Sequence, residues 1–293
     1  MAAIDRRKRG LLLVAAAAIT WSTGGLVVRL LDDPDPWRTI FWRSIFAVLF
    51  LIGFVVARER RRSAAVVMEV GRPGLLLGVC FALASVSFVI ALGLTSVANT
   101  LVILSTSPLF AALLGWVFLG DAIRTRTWVA IAVTVAGVAL MVSGSGTTTS
   151  WQGNLVALVI PIAFAVGTVV IRKNQHLNLT PAMALSPLLA MGAALFNLSS
   201  FTVDLRRLGL LAFFGCVQLG LGMALFSAGA RWTTPAQATL VSLLETVLGP
   251  VWVWVALGEL PPPAALIGGT VVLTALVVHT ALDLRRPLVP LVA

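Results

Sequence analysis

The stretch LVSLLETVLGPVWVWVALGE, residues 240–259, holds a lone carboxylate, Glu245, inside an otherwise apolar run. The nearest formal charges are Arg231 before it and Glu259 after it, so nothing local neutralises the acid. The run is long enough to cross a bilayer as a helix, which needs about 20 apolar residues. Glu245 lies ten residues from the start of the run, which is about 15 Å deep at 1.5 Å per residue. A charged acid there costs about 2.5–3.5 kcal/mol to insert. A proton, a cationic partner or a water-filled cavity relieves that cost. All three place Glu245 in the protein interior and away from lipid.

The rest of the chain has the same character. Of 293 residues, 59% are hydrophobic and 11% charged. A soluble domain carries about 25% charged residues, so the class is polytopic α-helical membrane protein. No ten-residue alternating strands point to a β-barrel. Ten apolar runs are visible, at about 11–31, 37–57, 74–95, 98–119, 127–145, 153–172, 181–203, 208–230, 235–257 and 263–283. The first run continues well past the length of a signal peptide, which predicts a retained helix. Cys80 and Cys216 both fall in apolar runs and are expected to be free thiols.

The net charge of +10 comes from short basic clusters between runs. That is topogenic patterning, and no nucleic-acid partner is expected. With the N-terminus inside, sixteen Lys/Arg fall in inner segments, against Arg206 and Arg207 in outer loops. Both termini are therefore expected in the cytoplasm.

Two halves resemble each other. The run ending LLGWVFLGD aligns with the one ending GPVWVWVALGE, matching Trp116 with Trp254, Gly120 with Gly258 and Asp121 with Glu259. WSTGGLVVR aligns with FAVGTVVIR, matching Gly24 with Gly167 and Arg29 with Arg172. Two units are expected, 1–145 and 146–293. Five helices per unit is odd, so the second unit enters from the opposite side. The expected fold is thus all-α, with ten transmembrane helices as two inverted five-helix repeats. Such inverted repeats mark secondary transporters with a site near the midplane.

The stretches AITWSTGGLVVRLL, FWRSIF, LSTSPLFAALLGWVFLGD and VSLLETVLGPVWVWVALGE resemble the drug/metabolite transporter superfamily, EamA-type branch, over about residues 11–283. The resemblance implies an exporter-like carrier with a central cavity. Trp21 matches the family's Trp-Gly start of helix 1, although Ser22, Thr23 and Gly24 follow it here. Arg43 matches the helix 2 arginine, and Ser107-Pro108 the Ser-Pro of helix 4. Glu245 matches the acid of a Glu-Pro pair, with Thr246 in place of the proline and Pro250 one turn on. The family handles diverse solutes, so no substrate is named by it.

The expected substrate-binding set is Glu245, Arg43, Trp21, Ser22, Thr23, Ser85, Asn99, Ser107, Thr168, Gln237 and Ser242. Further polar residues of the spans include Ser87, Thr100, Ser105, Thr106 and Gln218. Each hydroxyl also has an ordinary role as helix-packing glue. Arg43 either reaches inward to Glu245 or snorkels to the outer interface. Trp252 and Trp254 are expected in the interface belt, and His279 as a packing residue. The Glu245 face, with Ala238, Val241, Ser242, Leu248, Gly249 and Trp252, is expected to line a central cavity that Trp252 closes.

The expected activity is export of a small organic metabolite, an amino acid or related amphiphile, across the bacterial cytoplasmic membrane by alternating access. The partners are a small-molecule substrate, the lipid bilayer and a proton as candidate coupling ion. A passive channel or a lipid flippase is the alternative. An enzyme is not expected: SGSG at 143–146 and His279 fall on opposite faces, and no cluster suits a metal. No phosphate-binding motif follows a strand, so no cofactor is expected.

Overall fold

The computed structural model describes residues 2–33, 35–59, 69–95, 97–121, 123–142, 150–258 and 263–284. These are helical, without a strand among the described residues. In chain order the helices are α1 (Ala2–Ser22), α2 (Gly24–Leu31), α3 (Pro36–Glu59), α4 (Gly71–Leu94), α5 (Val97–Leu104), α6 (Ser107–Leu119) and α7 (Thr125–Val142). There follow α8 (Trp151–Lys173), a 3-10 turn at Pro181–Ala184, α9 (Leu185–Leu195) and α10 (Leu205–Phe213). A π-helical segment at Phe214–Leu221 leads into α11 (Gly222–Ala230), then α12 (Pro235–Ser242), α13 (Leu244–Leu257) and α14 (Pro263–Leu284). Among the described residues eight helical stretches are long and apolar enough to cross a membrane, and 125–141 and 181–195 are shorter apolar helices.

Local chemistry sets the helix ends. Ser150 and Asp204 cap α8 and α10 by accepting from Gly153 and Arg207 N–H groups. Thr234 and Gln237 form a capping box on α12, with Pro235 in its first turn. Helices α6 and α13 both end at a left-handed glycine, Gly120 with φ +67° and Gly258 with φ +71°. A side chain there would meet the αL steric penalty. The amides of Gly120 and Gly258 donate to the carbonyls of Trp116 and Trp254 at 3.1 and 2.8 Å. The aligned Trp-Gly pairs therefore make the same bond.

Three spans are broken, at Thr23, at Ser105–Thr106 and at Leu243. Hydroxyls cluster at each break. Ser22 and Thr23 donate to the Ile19 and Thr20 carbonyls, and Ser105, Thr106 and Ser107 to those of Val102, Ile103 and Leu104. Ser242 and Thr246 donate to Ala238 and Leu243. Pro108 has no N–H to offer the Leu104 carbonyl, and the Ser107 hydroxyl takes it at 2.6 Å. Such substitution lets irregular backbone persist in an apolar medium. Pro250 lies inside the continuous helix α13, so the break at Leu243 comes more than one turn before it.

The dominant packings are α4 on α8, α7 on α14, α3 on the π segment, α1 on α11 and α9 on α3. Small residues let these backbones touch. A Cβ on Gly229 would sit 2.5 Å from the Gly10 carbonyl oxygen, and one on Gly268 would sit 2.4 Å from that of Gly137. Cys80 is buried, Cys216 partly buried, and both are free.

Candidate functional site

The α1/α2 break is the hub of the interior. Gln218, in the π-helical segment, donates its Nε2 to the carbonyl of Trp21 at 3.2 Å. The Gln218 Oε1 is buried without a hydrogen-bond partner among the described residues. Across the break, the Trp252 indole donates to the Ser22 hydroxyl at 2.7 Å. The break thus binds α13 on one side and the π segment on the other. The π segment lies very close to α3: a Cβ on Gly215 would stand 2.4 Å from the Arg43 carbonyl oxygen. π-bulges recur at functional sites because they re-aim side chains within a helix.

Glu245 lies in the first turn of α13, just after the Leu243 break. It is the eleventh residue of the 23-residue stretch Pro235–Leu257, so it stands midway. Its side chain is partly buried. Among the described residues no hydrogen bond or ion pair reaches its carboxylate. Residues four and seven further on share its face. Of these, a Cβ on Gly249 would meet the Ser22 carbonyl oxygen at 3.8 Å, and Trp252 bonds Ser22. The Glu245 face is therefore turned to the α1/α2 break. The helix start beside it carries partial positive charge, which favours an anion.

Arg43 is 5% exposed. Its Nη2 donates to Ser85 at 2.8 Å and its Cζ lies 5.0 Å from the Phe214 ring centroid. Its Nε is buried without a partner among the described residues. Arg43 neither snorkels nor pairs directly with Glu245. The cation is held by a hydroxyl and an aromatic face, and the acid stands apart.

Trp21 does not stand alone. Its ring lies 6.0 Å from Phe164 and 5.2 Å from Phe226. Phe81 completes the cluster, at 5.6 Å from Phe164 and 6.0 Å from Phe226. Helices α1, α4, α8 and α11 each contribute one ring, and Phe226 is fully buried. Beyond this cluster, toward the face that carries Arg6, lies a charged belt. Trp232 has the guanidinium of Arg6 at 5.3 Å and that of Arg231 at 4.7 Å. Arg172 donates to the Gln175 side chain at 2.8 Å and the Arg231 carbonyl at 3.2 Å. Burial pushes the Asp121 carboxyl above its ordinary range, partly offset by Arg172.

The remaining expected residues have local partners. Thr23 and Ser107 serve the breaks, Thr168 donates to the Phe164 carbonyl at 2.8 Å, and Ser242 to that of Ala238 at 2.8 Å. Gln237 sits in the capping box. The Asn99 side chain lies outside the described residues. Trp252 faces the bundle interior, whereas Trp254 is 42% exposed, as an interface residue would be. Phe81, Phe164 and Phe226 escaped the sequence-based set, because a lone Phe in an apolar run carries no mark of a neighbour.

An unpartnered acid, a separate buried guanidinium and broken helices at mid-span suit polar solute binding inside an apolar bundle. The model of the EamA-like transporter family matches residues 8–143 and again 151–281. The Pseudopaline exporter CntI of Pseudomonas aeruginosa strain PAO1 is 26% identical over 280 residues, covering 93% of this chain and 96% of that protein. Its counterpart in strain UCBPP-PA14 is 26% identical over 279 residues, with the same coverage. A protein of known crystal structure superposes with a TM-score of 0.80 at 17% identity, covering 95% of this chain and 99% of its own, which speaks to the fold alone. The chain is a multi-pass membrane transporter and belongs to the EamA-like transporter family.

Proposed function

We propose that this transporter is a secondary exporter of a small organic metabolite bearing a cationic group, an amino acid or related amphiphile. The observation that carries this is Glu245: a mid-span carboxylate, unpartnered among the described residues, on a face turned to the α1/α2 break. A cation of the solute, or a coupling proton, is what such an acid takes up. Export as the direction is supported by the names of the two relatives, which are exporters.

The mechanism is alternating access. The solute sits beside Glu245, and the plug of Trp21, Phe81, Phe164 and Phe226 separates it from the face carrying Arg6. Release of the plug and of the Arg172 contacts opens that face. Closure of Trp252 on Ser22 holds α13 to α1 during the movement.

The architecture that fits is ten spans in two inverted units, 1–145 and 146–293. Three things support it: the doubled family match, the identical Trp-Gly bonds that end α6 and α13, and paired packing in which α4 on α8 is answered by α1 on α11. The setting is the cytoplasmic membrane of a bacterium with both termini inside.

Metabolite profiling of cells and medium tests this, with overexpressed protein, Glu245→Gln and empty vector compared. A cationic or zwitterionic metabolite enriched in the medium by the unaltered protein alone is expected. No enrichment, or equal enrichment by the variant, overturns it. Counterflow in vesicles separates carrier from channel: a carrier exchanges labelled solute against an unlabelled store, and a channel does not.

A further inference from the structure

Two charged groups of opposite sign flank the α1/α2 break, and neither has a counter-ion among the described residues. Arg43 is 5% exposed. A guanidinium has five N–H donors. Here one goes to Ser85, and Nε has no partner among the described residues. Ser85 and the Phe214 ring solvate the cation without neutralising it. Glu245 has no ion pair among the described residues either. A charge left uncompensated in an apolar interior is costly, and inside a membrane span such a group marks a solute path.

A line of contacts joins the two. The Arg43 guanidinium stands 5.0 Å from the Phe214 ring centroid. Phe214 and Gln218, one turn apart in the π segment, both press on Gly24. A Cβ there would lie 3.6 Å from the Phe214 ring edge and 2.9 Å from the Gln218 Nε2. Gln218 bonds the Trp21 carbonyl, and the next residue, Ser22, receives the Trp252 indole from the Glu245 face.

Gln218 adds a third group. The Trp21 carbonyl can only accept, so it takes the amide nitrogen. That leaves Oε1 as a buried acceptor without a partner among the described residues. Gln218 is the fourteenth of the 26 residues of Leu205–Ala230, and Glu245 the eleventh of the 23 of Pro235–Leu257. Both acceptors thus stand at mid-span. The break offers two acceptors, one of them anionic, and across Phe214 a cationic donor.

We propose that the solute is a zwitterion laid across this break, with its carboxylate on Arg43 and its ammonium between Glu245 and the Gln218 Oε1. This rests on the reading of Glu245 as the seat of the solute's cation and adds the seat of its anion. The guanidinium fork matches a carboxylate in shape as well as charge. An ammonium carries several N–H groups and needs more than one acceptor, which Glu245 and Gln218 supply together. A simple amine would neutralise Glu245 and leave Arg43 without a counter-charge. A simple anion would do the reverse. A zwitterion compensates both and adds no net charge to the site.

The purified full chain in detergent tests this, by ligand-induced shifts of its unfolding midpoint. The ligands are the common amino acids, each beside the amine that lacks its carboxylate and the acid that lacks its amine. At least one amino acid should bind about tenfold or more tighter than both truncated forms. Arg43→Gln should bring that amino acid down to its amine, and Arg43→Lys should keep part of the preference. Gln218→Leu should weaken amino acid and amine by a like factor and leave their ratio. Amines that bind as tightly as their amino acids overturn the carboxylate seat and leave Glu245 as a cation site. Acids that bind as tightly overturn the reading of Glu245 and the zwitterion with it. A preference that survives Arg43→Gln removes Arg43 from the site. No binding by any of the ligands also overturns the zwitterion, while metabolite profiling still decides Glu245. The comparison on the unaltered protein holds even where a variant does not fold.

Discussion

The Trp252 indole donates to the Ser22 hydroxyl at 2.7 Å, and Ser22 in turn donates to the Ile19 carbonyl at 2.6 Å. One short relay therefore ties α13 to the last turn of α1, where the first span breaks. A hydrogen bond of this kind contributes about 0.5–1.5 kcal/mol net. Trp252→Phe and Ser22→Ala should each lower stability by roughly that amount, and the double variant should lose little more than either. Thermal unfolding in detergent measures the cycle; strictly additive losses would show that the bond contributes nothing.

Glu245→Gln should separate transport from folding. The carboxylate has no partner among the described residues, so the neutral amide of like volume should leave the unfolding midpoint unchanged or raise it. Transport should fall at least tenfold, a loss of about 1.4 kcal/mol of solute or transition-state binding. Efflux from cells and unfolding of the purified variant are the two measurements. A large drop in midpoint with transport kept per folded molecule would make Glu245 a structural acid.

Phe226 is fully buried between the rings of Trp21, Phe164 and Phe81. Phe226→Ala should cost about 3–5 kcal/mol through the cavity it leaves. Phe226→Leu should fold and leak, with solute crossing vesicles down its gradient faster than in the unaltered protein. Tight vesicles with the Leu variant would remove the plug from the barrier.

Glycines at helix contacts and in open positions should respond oppositely. Gly229→Ala puts a methyl against the Gly10 backbone and should cost about 1–3 kcal/mol. Gly25→Ala meets nothing within 4 Å and should stabilise α2 by about 0.5–1 kcal/mol. Unfolding of both variants side by side checks the α1–α11 contact.

Topology is open to cysteine labelling on a background lacking Cys80 and Cys216. Ser200→Cys, between α9 and α10, should react with an impermeant reagent added outside whole cells. His176→Cys, just after α8, should be protected until the cells are opened. The reverse pattern would place the Arg-rich segments outside and overturn the proposed orientation.

Glu245 shows where sequence alone sufficed. Its isolation in an apolar run, and the recurrence of such runs, established a helical membrane protein because an apolar medium offers the backbone no other partner. The Trp-Gly endings of α6 and α13 were equally legible, since a left-handed cap needs glycine and the sequence repeats it. The tertiary structure alone decided the partners of the buried charges. Arg43 and Glu245 have opposite sign, and an arginine side chain is long enough to reach toward mid-span, which makes them an obvious pair on paper. Helix rotation sets which way each points, and it directs Arg43 to Ser85 and Phe214 and the Glu245 face to Ser22. The aromatic plug depends likewise on four helices far apart in sequence. No periodicity within a span encodes that meeting, because a helix that meets lipid on one side and apolar neighbours on the other is apolar all round and has no distinguished face.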